Sequence, residues 1–597
     1  MSKFKVSFLP QQVEVEVDGG KTIMDAARNA GVNINSVCGG EGVCGQCRVQ
    51  VISGDAKVSS HDLPFFSREE IQSGHVLACQ TRVHDNLRVI IPPQSRVEEE
   101  KILTETRSFV YSQPEKMSVA RIPYDPAALF APLVRKFYLP MPEPTIEDNI
   151  PDTARLTREL AKRSGYTSFE LSYDVVKGLT GTLRKSSWKV TATVSFSDTG
   201  GKVFQVEPGD TSERNYGLAV DVGTTTVVVQ LVHLNTGKVL GVEGSHNLQA
   251  HYGEDVLSRI AYACGKGSLN VLQEAVVKNI NGLIRSLCAQ KGVEPNDVTA
   301  IVAAGNTTMA HLLLGLMPCS IRNEPYVPTV DIYPRITAGD IGIEVNPRAV
   351  VEVLPSVSSY IGGDIVAGVM ACGLSDRPEV TCLIDIGTNG EVVVGNNEWM
   401  VCCSASAGPA FEGAGMRSGM RATRGAIQSI QIAGNEVRYE TIGKTRPRGI
   451  CGSGVVDLIY GLVSNGIIDI AGKFRQDRGG NRLFRDSDSG QYLFTVVFPE
   501  ETETGEALAV SQTDIDNVIR SKAAVYAAVK SLMDYVSLRF DGLQRLYVAG
   551  GFGNFLNIHH AIGIGLLPDV PVDRIQFIGN SSLMGARMAL LSVHALE

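Results

Sequence analysis

The spacing of apolar positions divides the chain into segments of different character. Lys3–Leu9 and residues 12–17 alternate apolar and polar side chains, which predicts a hairpin, and residues 22–30 predict a helix. Much later, residues 218–232 and 381–395 each combine a hydrophobic strand, a tight polar turn and a second strand. Because the same pattern occurs twice so far apart, we expect two duplicated lobes.

The region between these segments predicts a smaller domain. Residues 153–164 predict a helix, and residues 188–196 and 202–208 predict strands. Two prolines at positions 92 and 93, followed by polar residues, predict a linker. The middle part carries no recognisable site chemistry, so we expect a spacer or docking domain. The expected multidomain organisation is an N-terminal domain over residues 1–93, a linker over 94–123, a small α/β middle domain over 124–213 and a two-lobed α/β domain over 214–597.

The composition is that of an ordinary globular protein, with 44% hydrophobic and 20% charged residues in a chain of 597. A net charge of -9, without a Lys/Arg-rich stretch, argues against nucleic acid as a partner. The N-terminus has no apolar signal core, and the uncharged run over residues 298–321 is interrupted by polar residues and a proline. We therefore expect no membrane segment and a cytoplasmic protein.

Four of the twelve cysteines have spacings typical of metal ligands. Cys38, Cys44 and Cys47 lie in a glycine-rich loop with the spacing C-x5-C-x2-C, and Cys79 follows after 31 residues. Glycines allow such a loop to wrap an iron–sulfur cluster, and four thiolates complete two tetrahedral irons. The same four thiolates could instead form a zinc site. We expect the cysteines of this chain to be ligands or buried thiols rather than disulfides.

The order of hairpin, helix and glycine-rich loop resembles the [2Fe–2S] ferredoxin family over residues 1–93. This resemblance implies an α+β, β-grasp domain in which the four cysteines hold a [2Fe–2S] cluster. The first spacing differs from the C-x4-C of plant ferredoxins and is more similar to adrenodoxin-type ferredoxins. The resemblance therefore does not identify the electron donor.

Each strand–turn–strand segment has the residues that a nucleotide phosphate requires. Asp221 ends the first strand and Asp385 occupies the same place in the second segment, where either can hold a cation that neutralises phosphates. Glycines let the backbone come close, and amide and hydroxyl donors line the turn. An Asp-x-Gly turn also closes ordinary hairpins, so each segment alone leaves both interpretations open. The candidate phosphate-binding residues are Gly223, Thr224, Thr225 and Thr226 in the first turn and Gly387, Thr388, Asn389 and Gly390 in the second.

Three further segments extend this pattern. Residues 361–373 and 579–591 predict helices with small residues at helical spacing, which either allow close approach at a hinge or simply assist packing. Residues 545–555 predict a buried strand that ends in a turn of Gly550, Gly551 and Gly553, against which a base and ribose can lie.

The order of these five motifs resembles the actin, Hsp70 and sugar-kinase superfamily. The resemblance implies ATP and Mg²⁺ in a cleft between two lobes, with hinge closure coupled to the nucleotide state. Asp221 and Asp385 would serve the metal and its waters. The residues of the two turns would bind the phosphates, and the three glycines near position 550 would lie at the adenosine.

Other side chains near the second turn are candidates for supporting roles. Glu391 or Glu412 could orient an attacking water, and either could instead be a salt-bridge residue. Ser404 and Ser406 lie in a loop of small residues that suits a partner-facing surface sensing the nucleotide. Residues 305–308 could contact phosphate or a partner, or cap a helix.

Along its whole length the chain resembles the reductive activators of corrinoid proteins, through the motifs DVGTTT, IGGDIVAG, DIGTNGE, SAGPAFEG and AGGFGNF. The resemblance implies ATP-dependent one-electron reduction of an inactive Co(II) corrinoid protein to Co(I) in anaerobic methyl-transfer metabolism. It also implies a methyltransferase-system corrinoid protein as partner, a low-potential electron donor and a homodimer through the ATPase domain. Two alternatives are an activator of another low-potential or radical enzyme and a small-molecule kinase regulated by a redox-sensing ferredoxin.

Overall fold

The computed structural model describes residues 3–32, 34, 47–55, 65–66, 68–92, 130–197, 200–265, 268–413, 416–420, 422–434, 436–486, 490–550 and 556–596. The expected linker over residues 94–123 lies outside these ranges, as do Cys38, Cys44, Gly551 and Gly553.

The N-terminal domain is a five-stranded sheet with two short helices. The sheet order is β2-β1-β5-β3-β4, in which β1 and β5 are parallel and the other pairs are antiparallel. The predicted hairpin and helix are confirmed, and the helix begins where Thr22 and Asp25 bond each other's backbone N–H groups. The elements are β1 Lys3–Leu9, β2 Val13–Asp18, α1 Ile23–Asn29, β3 Arg48–Ser53, α2 Arg68–Gln72, β4 His75–Leu77 and β5 Leu87–Ile90.

The middle domain is a four-stranded sheet, ordered β6-β8-β9-β7, with two amphipathic helices. Helix α3 lies within one residue of the predicted helix, and both predicted strands are present. The apolar stripes of the helices, including Leu156, Leu160, Leu179 and Leu183, are buried in the domain's core. The elements are β6 Val134–Pro140, α3 Asp152–Ser164, β7 Phe169–Leu171, α4 Tyr173–Lys185, β8 Lys189–Ser197 and β9 Gly200–Pro208.

The first lobe of the large domain is built on a six-stranded sheet, ordered β12-β11-β10-β13-β15-β14. One face packs on α6 and α7, and the other face shares a hydrophobic core with the middle domain. The elements are β10 Tyr216–Val222, β11 Thr226–His233, β12 Val239–His246, α5 Val256–Ala263, α6 Ser268–Lys291, β13 Val298–Gly305, α7 Thr307–Leu314, β14 Ile336–Thr337, β15 Val350–Val353 and α8 Gly363–Cys372.

The second lobe is built on a five-stranded sheet, ordered β18-β17-β16-β25-β26, with two three-stranded sheets beside it, β20-β19-β21 and β22-β23-β24. Its core lies between the main sheet and helices that include α9, α10 and α11. The elements are β16 Thr381–Ile386, β17 Gly390–Gly395, β18 Met400–Ala405, β19 Ala426–Ala433, β20 Glu436–Thr441, β21 Gly449–Ile450, α9 Gly452–Ser464, β22 Leu483–Arg485, β23 Tyr492–Val497, β24 Leu508–Ser511, α10 Gln512–Tyr535, β25 Arg545–Ala549, α11 Ile558–Gly563, β26 Ile575–Gly579 and α12 Ser581–Leu591.

The two lobes repeat one arrangement of strands. In the first lobe β12, β11 and β10 are antiparallel neighbours, and β13 and β15 follow in parallel. In the second lobe β18, β17 and β16 are antiparallel neighbours, and β25 and β26 follow in parallel. This match confirms the duplication expected from the repeated strand–turn–strand pattern.

One pair of cysteines differs from the expectation of thiols or ligands. Cys264 and Cys319 form a disulfide, with their Cα atoms 5.8 Å apart. Sequence spacing gave no sign of this pair, because 55 positions separate the two cysteines and only the packing of the first lobe brings them together. Among the helices in the described ranges, none is long and apolar enough to cross a membrane.

Candidate functional site

The two turns predicted to bind phosphate face each other between the lobes. Thr225 belongs to the first phosphate loop, residues 223–226, and Thr388 to the second phosphate loop, residues 387–390. Their Oγ1 atoms lie 3.3 Å apart although 163 positions separate them in the chain. The two loops therefore form opposite walls of one narrow site.

A glycine keeps the backbone of each loop close to its surroundings. A Cβ atom on Gly223 would lie 2.7 Å from the carbonyl oxygen of Thr226. A Cβ atom on Gly390 would lie 2.8 Å from a side-chain carbon of Val525 on α10. Both distances are shorter than real Cβ contacts, so these positions require glycine for the loops to keep their shape.

Asn247 holds the backbone of the first phosphate loop from the outside. Its side-chain amide donates to the carbonyl oxygen of Gly223 at 2.8 Å. Its backbone N–H donates to the carbonyl oxygen of Thr225 at 2.9 Å. These bonds occupy carbonyl oxygens that would otherwise repel an anion.

Thr224 is held from two helices at once. Arg259 on α5 donates to the Thr224 carbonyl oxygen at 2.5 Å. Asn306, which caps α7 by accepting the Met309 N–H, donates from its side chain to Thr224 Oγ1 at 3.0 Å. Arg259 is fully buried, and this burial lowers its pKa to about 9, against the charges of Asp255 and Glu254, which raise it.

Asp221 connects the first phosphate loop to the C-terminal helix. Its carboxylate accepts hydrogen bonds from Asn580 at 2.7 Å and from Ser582 at 2.8 Å. Asn580 also caps α12 by accepting the Leu583 N–H. Burial raises the pKa of Asp221, and the two hydrogen bonds oppose that shift.

A second group of carboxyl groups faces Asp221 across the site. Asp385 accepts a hydrogen bond from Ser581 at 3.3 Å. Asp364, at the start of α8, has its pKa raised to about 7 by burial and then by the charge of Asp385, with Asp221 adding a smaller effect. Burial and the charges of Asp364 and Asp385 raise the pKa of Glu391 well above its usual range. Since these groups repel one another, the site favours a bound cation.

The donor set fits Mg²⁺ with a nucleotide triphosphate. Magnesium is usually held by one or two carboxylates, several waters and the substrate phosphates, rather than by a cage of protein ligands. Within the described residues no three His, Cys, Asp or Glu side chains converge tightly enough to hold a metal by themselves. Carboxylates that repel each other, beside two loops rich in hydroxyl groups, match the magnesium–phosphate pattern.

The two small-residue helices cross in close contact. A Cβ atom on Gly585 of α12 would lie 2.2 Å from the carbonyl oxygen of Ala367 on α8. A Cβ atom on Gly368 would lie 3.1 Å from Ser581 Oγ, the atom that bonds Asp385. Asp364 lies in the first turn of α8, so both of the crossing helices carry residues of the site.

The predicted adenosine loop is described only at its first residue. Gly550 follows β25 with a φ of 112°. A Cβ atom there would lie 2.2 Å from the carbonyl oxygen of Ile386, next to the second phosphate loop. Gly551 and Gly553 lie outside the described residues, so their part in binding adenosine stays a prediction.

The candidates that follow the second phosphate loop separate into two groups. Ser404 donates to Glu391 at 3.2 Å and therefore lies beside the carboxylates, whereas Ser406 is exposed. Asn389 also bonds Glu391. Glu412 is the last residue of a short helical turn, Pro409–Glu412, and its side chain is not among the parts that the structure describes. Its proposed role as a water-orienting residue therefore stays a prediction.

Two of the four candidate cluster cysteines are described. Cys47 and Cys79 are both buried in the N-terminal core, and their sulfur atoms lie 3.3 Å apart. Two thiols that face each other at this distance suit ligands of a shared metal centre.

Family models cover nearly the whole chain. A model described as "2Fe-2S iron-sulfur cluster binding domain" matches residues 7–84. The model "RACo linker region" matches the middle domain over residues 125–213, and "RACo middle region" matches the first lobe over residues 216–377. The model "C-terminal domain of RACo the ASKHA domain" matches residues 379–597.

A curated relative decides the family. The "Corrinoid activation enzyme RamQ" of Eubacterium limosum is 30% identical, and the match covers 98% of this chain and 93% of the relative. This chain belongs to the RACo family. A solved structure titled "Reductive activator for corrinoid,iron-sulfur protein" is 41% identical, with a TM-score of 0.74 and coverage of 99% of this chain and 93% of that one. A "[Co(II) methylated amine-specific corrinoid protein] reductase" of Methanosarcina barkeri is 24% identical over 64% of this chain and 71% of the relative.

The RACo assignment confirms the expected multidomain fold, and the iron–sulfur model favours a [2Fe–2S] cluster over zinc. The sequence did not point to Asp364, Asn247, Arg259 or the three polar residues at the start of α12 as parts of the site. A clue was present for Asp364, since it is the one charged residue in the small-residue segment over residues 361–373. The other contacts join distant parts of the chain and leave no local pattern.

Proposed function

We propose that this protein couples ATP hydrolysis to the one-electron reduction of a corrinoid protein from Co(II) to Co(I). The observation that carries the proposal is a match along essentially the whole chain to proteins named as corrinoid activators, with both chemical modules present. The substrate would be the corrinoid protein of a methyltransferase system in anaerobic methyl-transfer metabolism. The electron would come from a low-potential donor, and the protein would act as a homodimer through its large domain.

Two aspartates would serve the metal in the nucleotide site. Asp221 and Asp385 end equivalent strands of the two lobes, so they approach the site from opposite sides. A Mg²⁺ ion bound with ATP would neutralise phosphate charge there. Thr224, Thr225 and Thr388 would donate hydroxyl hydrogen bonds to phosphate oxygens, with the backbone amides of both loops.

Asp364 is the group best suited to orient the attacking water and to accept its proton. Its pKa is raised to about 7, so this carboxyl group can change its protonation state near neutral pH, which favours proton transfer. Its place at the start of α8 connects hydrolysis to the helix crossing. Glu391, which accepts a hydrogen bond from Ser404 and whose pKa is raised well above its usual range by burial, would help to place that water.

The N-terminal domain would hold the [2Fe–2S] cluster through Cys38, Cys44, Cys47 and Cys79. Such a cluster supplies one-electron transfer at low potential, which is the chemistry that reduction of Co(II) requires. The buried position of Cys47 and Cys79 excludes water from their sulfur atoms. ATP would change the relative affinity of this protein for the two redox states of the corrinoid partner. A coupled cycle requires such a difference.

Nucleotide turnover by separate aspartate variants tests the site assignment. We expect ATP turnover to be at least about 100-fold lower in Asp221→Asn and in Asp385→Asn. A loss of this size is typical when a group that stabilises developing charge is removed. The visible spectrum of the cluster should stay unchanged in both. As a matched control, Asp340→Asn changes a carboxylate on the surface of the first lobe, away from both loops, and should keep normal turnover. Normal turnover in both site variants would overturn the assignment.

A further inference from the structure

The disulfide of the first lobe joins the end of α5 to the segment that follows α7. Cys264 is the C-terminal cap of α5, and Cys319 starts a short helical turn that follows α7. Cys264 is exposed to solvent, whereas Cys319 is half-buried. Cys264 is therefore the more accessible of the two cysteines to an external thiol.

The same two helices hold the first phosphate loop. Arg259 of α5 donates to the Thr224 carbonyl oxygen, and Asn306 at the start of α7 donates to the Thr224 hydroxyl. A third contact joins the helices to each other, because Arg259 also reaches the sulfur of Met309 on α7 at 3.2 Å. Thr224 and the disulfide thus belong to one unit, which we call the loop clamp: α5, α7 and the Cys264–Cys319 bond.

We propose that Cys264 and Cys319 form a reversible thiol–disulfide site that controls how tightly the first phosphate loop binds nucleotide. This proposal rests on the proposed function, because it assumes that the loop binds ATP. With the disulfide closed, the end of α5 is tied to the segment that follows α7, and Arg259 and Asn306 hold Thr224 in place. With the disulfide open, the helices gain freedom, and nucleotide binding must order the loop at a cost in affinity.

The redox step balances with a dithiol reductant. A thiolate of the reductant attacks Cys264 Sγ, the S–S bond breaks, and Cys319 leaves as a thiolate that takes up a proton. The second thiol of the reductant then attacks the reductant's own sulfur in this mixed disulfide, which closes the reductant's disulfide and releases Cys264 as a thiolate that takes up a proton. Two electrons and two protons pass to the protein, and a disulfide oxidant such as glutathione disulfide reverses the reaction.

Other described cysteines of the large domain are poorly suited to this chemistry. Cys288, Cys372 and Cys382 are buried, and burial raises the pKa of each thiol, which lowers the thiolate fraction that reacts. Disulfides in reducing compartments usually serve redox sensing or catalysis rather than stability.

The test compares nucleotide affinity in two thiol states of the full-length protein with its cluster. Anaerobic samples are equilibrated with glutathione and glutathione disulfide at a series of ratios, and thiol alkylation with mass spectrometry gives the state of each cysteine. Calorimetry with MgADP gives the affinity. We expect the oxidised protein to bind at least about 5-fold more tightly than the reduced protein, the low end of typical coupling between sites.

Three variants make the result specific. Cys264→Ser and Cys319→Ser should each bind with the affinity of the reduced protein at every glutathione ratio, whereas Cys288→Ser, in the same lobe, should keep the response. Equal affinity in both thiol states, or thiols that stay reduced at every ratio, would overturn the proposal.

Hydrogen exchange of residues 218–232 separates this proposal from the proposed function. We expect faster exchange at the first phosphate loop when the disulfide is open, even without nucleotide. Redox-dependent exchange without nucleotide binding in either state would reject the ATP site, and with it the control of nucleotide affinity, while showing that the disulfide orders the loop. Exchange that does not depend on the thiol state would reject the clamp, whatever the affinity for nucleotide.

Discussion

Thr225 and Thr388 lie with their hydroxyl oxygens 3.3 Å apart, and this contact joins the phosphate loops of two lobes that are distant in sequence. Each hydroxyl belongs to a turn whose aspartate ends a strand of its own lobe. A single hydrogen bond thus reports whether the two halves of the site are together. Because it spans the cleft, it should also weaken when the lobes separate.

A double-mutant cycle measures this contact. Thr225→Val and Thr388→Val keep the shape of the side chains and remove the hydroxyl groups, so each should raise the KM for MgATP by roughly 2–10-fold, the value of one net hydrogen bond. We expect the double variant to be less impaired than the product of the single effects, since both remove the same bond. Thr308→Val is the control, because within the described residues the buried Thr308 hydroxyl has no hydrogen-bond partner. Strictly multiplicative effects would show that the two loops act independently.

The pKa of Asp364 predicts a pH dependence of hydrolysis. If this carboxylate accepts the proton of the attacking water, kcat/KM for MgATP should fall as the pH drops below about 7, where Asp364 is protonated. Asp364→Asn should lower kcat by about 100-fold or more and remove this limb of the profile. An unchanged limb near pH 7 in the variant would assign the titration to another group.

The same group predicts the pH dependence of stability without Mg²⁺ and nucleotide. The pKa of Asp364 rises from 3.8 to about 7, so the folded protein holds a proton that the unfolded chain releases between these values. The contribution of Asp364 to the free energy of unfolding therefore falls as the pH rises through that window, and the destabilisation reaches its full value above about pH 7. Asp364→Asn should raise the Tm of the large domain at pH 8 by at least about 2 °C, with little effect at low pH.

Asp340→Asn is a control for this measurement, because the expected change in Tm has the opposite sign. Hydrogen bonds from the Thr337 backbone and side chain lower the pKa of Asp340, so its stabilising effect is present at neutral pH and is lost on acidification. Asp340→Asn should therefore lower the Tm at pH 8. If both aspartate variants shift the Tm in the same direction at pH 8, the electrostatic account of Asp364 is wrong.

The helix crossing should tolerate no added methyl group. Gly585→Ala places a Cβ atom against the Ala367 carbonyl oxygen, so α8 and α12 must separate. We expect a loss of about 1–3 kcal/mol in the free energy of unfolding, together with reduced ATP turnover. Gly282→Ala is the control, since a Cβ atom there meets open space on α6 and should stabilise the helix by up to about 1 kcal/mol. Full activity and stability of Gly585→Ala would exclude a tight crossing.

The sequence predicted those parts of the site whose residues are close together in the chain. The strand, the aspartate and the glycine turn of each phosphate loop fall within about 15 residues, so their pattern is visible without the fold. The helix at Asp152–Ser164 was predicted within one residue because its apolar spacing is regular. The strands that flank both phosphate loops could be predicted for the same reason, because their pattern is local in the sequence.

Contacts between distant segments could not be predicted in this way. Asp221 meets Asn580 across 359 positions, and Cys264 meets Cys319 across 55. Neither pair has a local signature, because packing of whole helices against sheets decides which side chains meet. Asp364 could be identified only when Asp385 and Asp221 were placed beside it.

We propose that ATP turnover and cobalt reduction are coupled in this one chain. Anaerobic optical spectroscopy of a corrinoid protein in the Co(II) state, mixed with this protein, a low-potential reductant and MgATP, measures the growth of the Co(I) band directly. We predict growth that requires MgATP and that is lost both in Asp385→Asn, which keeps its cluster, and in Cys79→Ser, which keeps its ATP site. Equal growth without MgATP, or undiminished growth with Cys79→Ser, would contradict the account.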